Sequence, residues 1–162
     1  MKKSLTRTLT LALAALMLLS LVVLTSCDGG GDQDKYVFKA GSVTLCIGDS
    51  ADVIAQLGQP TAYNETASCG GIPGTDKLYV FAGYRVQSTP GNDGDVINKI
   101  EITDDSVKTP EGLTIGSTKD QVTKALGAGT ASGENLTYKS GDTKLMFIIR
   151  DGYVTNIQYL KA

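Results

Sequence analysis

Two stretches of this chain repeat one another, so its fold must be something built twice. Ile47-Gly48-Asp49-Ser50-Ala51-Asp52 returns as Ile115-Gly116-Ser117-Thr118-Lys119-Asp120. Each copy then runs through a short apolar-periodic segment that stops at Leu57-Gly58 or Leu126-Gly127. Ser50 and Thr118 stand where an N-cap hydroxyl is wanted, with an acid in the turn that follows. Gly58 and Gly127 stand where a helix ends on a left-handed residue. The spacing predicts two helices of two to three turns, near 50–57 and 118–126. Their inward faces would carry Val53, Ile54 and Leu57 in one copy, and Val122, Ala125 and Leu126 in the other.

The two copies also end alike. Val96-Ile97-Asn98-Lys99-Ile100-Glu101-Ile102 aligns with Tyr153-Val154-Thr155-Asn156-Ile157-Gln158-Tyr159, each after an Asp-Gly turn. Alternation of apolar and polar residues makes each a half-buried strand. Between helix and last strand, Leu136–Tyr138 and Lys144–Ile149 read as strands in the second copy. Leu78–Phe81 and Tyr84–Val86 read so in the first, flanked by Gly/Pro-rich loops at 67–76 and 88–95. The expectation is an α+β fold of two tandem α-β-β-β units, 36–105 and 106–162. They would form one antiparallel sheet with two short helices packed on one face, since neither half alone buries much.

This pattern resembles the beta-lactamase-inhibitor-protein-like architecture, over about residues 42–160. That group holds tandem helix–meander inhibitors and the single-unit outer-membrane lipoproteins of the barrel-assembly machinery. The resemblance implies binding through the open face of the sheet, by way of aromatic side chains. Tyr79, Tyr84, Tyr138, Tyr153 and Tyr159 are the matching candidates, with Phe81 and Phe147. Strand period two sends about half of such residues into the core. Val154 and Ile157 differ in parity, so a bulge leaves open which face is inside. Inhibitors of this type carry a disulfide in each half, whereas the second half here has no cysteine, and their inhibitory loops have no match in this chain.

Residues 1–26 are a separate matter. Lys2, Lys3 and Arg7 precede an apolar run from Leu9 to Leu24, and Leu24-Thr25-Ser26-Cys27 closes it. A basic start, an apolar stretch and small residues before a cut site read as a secretory signal. The closing tetrapeptide resembles the lipobox of bacterial lipoproteins. That resemblance implies cleavage before Cys27 and diacylglycerol on its sulfur. A transmembrane helix is the alternative, although an apolar run of about 16 residues is short for a span of about 20. Residues 27–35 would be a Gly-rich flexible tether. The protein is then expected on the extracytoplasmic side of the cell membrane, held by lipid. Cys46 and Cys69 remain as an even pair in an exported chain, where a disulfide is expected; two unpaired thiols are the other possibility.

The segment after residue 26 holds all 17 acids but only 12 of the 15 bases. An acidic domain without clustered Lys and Arg is not built for nucleic acid. The chain has no histidine, which excludes Ser-His-Asp and Cys-His catalysis and the usual zinc-hydrolase ligand sets. Asp93, Asp95, Asp104 and Asp105 lack the spacing of a calcium loop and fit turn geometry better. No cofactor, no metal and no catalysis are expected. The function that follows is a tethered, non-catalytic module that binds an envelope or extracellular protein or peptide. The alternative is a structural accessory of envelope assembly or maintenance. Asp28 counts against an outer-membrane position in enteric-type bacteria, where Asp after the lipidated cysteine favours inner-membrane retention.

Overall fold

The computed structural model describes residues 36–69 and 71–162. The expected signal, the lipidation site Cys27 and the tether therefore lie outside the described residues. The fold is mostly antiparallel sheet. Strands β1 (Val37–Ala40) and β2 (Val43–Cys46) form a small hairpin that the sequence did not announce. A 3-10 helix follows at Ala51–Leu57, then β3 (Ala62–Ala67), β4 (Thr75–Phe81), β5 (Tyr84–Gly91) and β6 (Gly94–Ile102). Helix α1 (Lys119–Leu126) precedes β7 (Thr130–Ser132), β8 (Asn135–Ser140), β9 (Thr143–Arg150) and β10 (Tyr153–Lys161). Eight strands make one sheet in the order β3-β4-β5-β6-β10-β9-β8-β7. Each helical segment is thus followed by four strands rather than three. The additional strands, β3 and β7, are the two edges and are exposed throughout. Polar, exposed edges carry no apolar alternation, which is why the sequence pattern passed over them.

The two helical segments differ because their first turns differ. Thr118 accepts from the Gln121 amide, and the Gln121 side chain accepts from the Thr118 amide, a complete capping box. Ser50 reaches only the Asp52 amide, and Val53 stands where Gln121 stands. Two adjacent β-branched residues, Val53 and Ile54, further weaken an α-helical turn. Both segments end on glycine at nearly the same conformation, Gly58 at φ 82° and ψ −159° and Gly127 at φ 80° and ψ −160°. Ile54 and Val122 are buried, Val53, Leu57 and Leu126 pack partly on the core, and Ala125 is exposed against expectation.

Equivalent positions of the repeat make equivalent bonds. Gly48 N–H donates to the Ile97 carbonyl at 2.8 Å, and Gly116 N–H to the Val154 carbonyl at 2.8 Å. Ile97 N–H donates to the Asp49 carbonyl at 2.9 Å, and Val154 N–H to the Ser117 carbonyl at 2.8 Å. A bulge interrupts β5–β6 at Asn98 and β9–β10 at Thr155, aligned positions in the repeat. At the centre, β6 pairs with β10 through Ile102 opposite Ile157 and Ile100 opposite Tyr159.

One core cluster draws on all of this. A continuous row crosses seven strands: Tyr63, Tyr79, Val86, Ile100, Tyr159, Leu145 and Tyr138. Phe38 and Leu45 from the β1–β2 hairpin, Ile54 and Val122 belong to the same cluster as the inner members of this row. The Phe38 ring lies 5.0 Å from Tyr84 and 5.8 Å from Tyr159. The hairpin is therefore part of the cover over the sheet. Pro90, inside what read as a loop, sits in β5 beyond the last β4 pairing at Lys77–Ser88, where its missing amide breaks no ladder.

Candidate binding surface

The five tyrosines expected on a binding face do not form one. Tyr138 and Tyr159 are buried at 5% and 1% exposure, and Tyr79 and Tyr84 pack partly buried against the same cluster. The structure brings these four together on the covered side of the sheet. Burial pushes the phenols of Tyr84, Tyr138 and Tyr159 above their ordinary range. Only Tyr153 is largely exposed. In a regular strand it would share a face with Tyr159, six residues on, but the extra residue Thr155 in the bulge reverses its side. Phe81 and Phe147 are buried as well.

The expected Cys46–Cys69 bridge is also absent. Cys69 is an exposed free thiol in the β3–β4 loop, while Cys46 is buried at the end of β2.

The other face of the sheet is of different make. Ala62, Val80, Arg85, Glu101, Gln158, Met146, Thr137 and Thr130 stand in register across all eight strands. Beside them runs Asn64, Leu78, Gln87, Lys99, Leu160, Lys144 and Lys139. Among the described residues, none of this face joins the core cluster. Leu78, Val80, Met146, Ile148 and Leu160 are half-buried there, between polar neighbours. The Asn156 amide donates to Glu101 at 2.7 Å, and Lys99 lies 3.5 Å from the same carboxylate. Parity held the signal for this: Ile100, Ile102, Ile157 and Tyr159 alternate strictly with Lys99, Glu101 and Gln158 in the two central strands.

Other chemistry is thin among the described residues. No group of three or more His, Cys, Asp or Glu side chains is placed to hold a metal. Asp95 pairs with Lys77 at 2.8 Å, and Asp104 accepts from the Ser106 amide and hydroxyl. Those bonds hold the Asp104 carboxyl below its ordinary value. A cavity of about 740 Å³ lies beside the β5–β6 turn, lined by Ile47, Ile72, Val96 and Ile97. Asn98 also borders it, with a buried Oδ1 that has no hydrogen-bond partner. No helix of the described residues is long and apolar enough to cross a membrane. Comparison with protein-family models, curated proteins and solved structures finds no match to this chain.

Proposed function

We propose that this protein is an extracytoplasmic lipoprotein, anchored through Cys27, that binds a protein or peptide on the open face of its sheet. Two tandem helix–meander units of the inhibitor-like kind, with both helical segments on one side, are part of this reading. The observation that carries it is the second face itself. Five aliphatic side chains sit there half-buried among polar groups, on a rigid sheet, and contribute nothing to the core. Apolar centres ringed by polar residues are how protein-binding patches are made. Tyrosine no longer argues for it, since the tyrosines are mostly structural. The argument for anchoring comes from the sequence: the basic start, the apolar run from Leu9 to Leu24 and the closing Leu24-Thr25-Ser26-Cys27.

Intact mass of the protein from native membranes tests the anchor: diacylglyceryl mass on Cys27 supports it, and an unmodified Cys27 refutes it. The binding half is tested by a photo-crosslinking residue at Met146 or Leu160, compared with one at exposed Lys124. Capture at the open-face positions that is lost in Leu160→Asp supports the reading. Capture only at Lys124 sinks it.

A further inference from the structure

We infer that the open face takes an acidic polypeptide segment laid across Lys99, Lys144 and Lys139, a deepening that rests on the open-face reading. The chain is acidic overall, with 17 acids against 15 bases. The open face reverses that balance. Register places Arg85, Lys99, Lys139, Lys144 and Arg150 on it, against Asp76 and Glu101. Lys139 and Lys144 stand directly opposite one another on adjacent strands. Like charges in that position oppose pairing, so the fold itself gains nothing from them. Among the described residues, Arg85, Lys139 and Lys144 make no ion pair, while Lys99 meets Glu101 at 3.5 Å and Arg150 meets Glu134 at 2.8 Å. Arg85 faces Glu101 across the ladder, whereas Lys139 and Lys144 stay unneutralised on a face the core does not use.

The spacing points to a polypeptide. Lys99, Leu160, Lys144 and Lys139 occupy four neighbouring strands, so the two outer lysines are about 14 Å apart. An extended chain puts every second side chain on one side at about 6.6 Å, so acids at alternate positions span the length of the stripe in about five residues. Leu160 lies between two of the cations and Met146 beside them, which suits a segment whose acids are interspersed with apolar contacts. Electrostatic complementarity of this kind sets partner choice and association rate.

The test uses the full chain in mild detergent, at no more than one chain per micelle. The probe is a peptide of about ten residues alternating Glu and Val, with a Gln-for-Glu peptide as control. The expected result is methyl NMR shifts at Leu160 and Met146, affinity falling about tenfold or more between about 50 and about 300 mM salt, and tenfold weaker binding of the Gln peptide. Lys139→Glu exchanges a like-charge pair for an opposite one, so the fold is kept while peptide affinity drops. Lys108→Glu, off this face, leaves affinity unchanged. Equal binding of both peptides, or unchanged affinity in Lys139→Glu, overturns the acidic-partner inference and leaves the open face standing. Shifts confined to other surfaces overturn the open-face reading with it. Absence of peptide binding alongside binding to phosphatidylglycerol vesicles overturns the inference in favour of a lipid surface, and absence of both overturns it outright.

Discussion

Tyr138 and Tyr159 stand in one cross-strand row, both paired in register with Leu145, yet removing their hydroxyls should have opposite effects. The Tyr138 hydroxyl donates to the Gly127 carbonyl at 3.1 Å, tying β8 to the end of α1. The Tyr159 hydroxyl is buried with no hydrogen-bond partner among the described residues. A satisfied hydrogen bond contributes about 1 kcal/mol, whereas a buried unpaired hydroxyl costs about 1–3 kcal/mol. Tyr138→Phe should therefore lower stability by about 1 kcal/mol, and Tyr159→Phe should raise it by about 1 kcal/mol. For a domain of this size that separates the two melting temperatures by about 6–10 °C. The assay is urea unfolding followed by circular dichroism, with an unchanged slope showing that only stability moved. Alkaline pH gives a second readout. Burial holds the Tyr159 phenol well above its unfolded value, so its share of stability is full below about pH 10 and is lost as pH rises beyond that. Tyr159→Phe should lose less stability than wild type above pH ~10. If Tyr159→Phe destabilises by about 1 kcal/mol or more, its hydroxyl has a partner, such as a buried water, and the reasoning fails.

Three further outcomes follow from named contacts. Residues 36–105 alone should show no cooperative melt, because β6 loses Ile157 and Tyr159 from across its ladder; a sharp transition for that fragment would contradict a shared core. Gly129→Ala should cost about 1–3 kcal/mol, since a Cβ there would lie 2.8 Å from the buried Tyr138 ring and 2.9 Å from Leu136; calorimetry showing no change would mean the ring can retreat. Asp104→Asn should be less stable than wild type at neutral pH and converge with it as pH falls through and below the ordinary carboxylate range. The wild-type carboxyl has its folded value lowered, so its contribution is present above the unfolded value and lost on acidification. Parallel melting curves for the two across pH 2–7 would refute that role.

How much of this was legible depends on what each residue had to signal. The repeat was plain because Ile-Gly-x-Ser/Thr-x-Asp and the closing Leu-Gly are fixed by backbone conformation, and Gly58 and Gly127 adopt nearly one geometry. The strands from β4 to β6 and β8 to β10 were legible because they alternate. The strands β3 and β7 were not, since an edge that faces water on both sides carries no alternation to read. The hairpin β1–β2 was missed because its buried members, Phe38 and Leu45, come one per strand from strands of four residues.

The sequence leaves the sorting of faces open for a physical reason that the structure makes specific. In β4 the alternating partners of Tyr79 and Phe81 are Leu78 and Val80, so hydrophobicity marks neither side as core. The usefulness of tyrosine at interfaces carries no information about its register. The central strands held the answer, because Ile100 and Ile102 share parity on β6 and face Tyr159 and Ile157 on β10, while Lys99, Glu101 and Gln158 occupy the other side. Once that side is the open one, the pairing of Lys139 with Lys144 stops being a flaw in strand design. A cross-strand repulsion kept on a face the core does not use is one that a bound anion would relieve, and the proposed binding would then rest on lysine and aliphatic side chains.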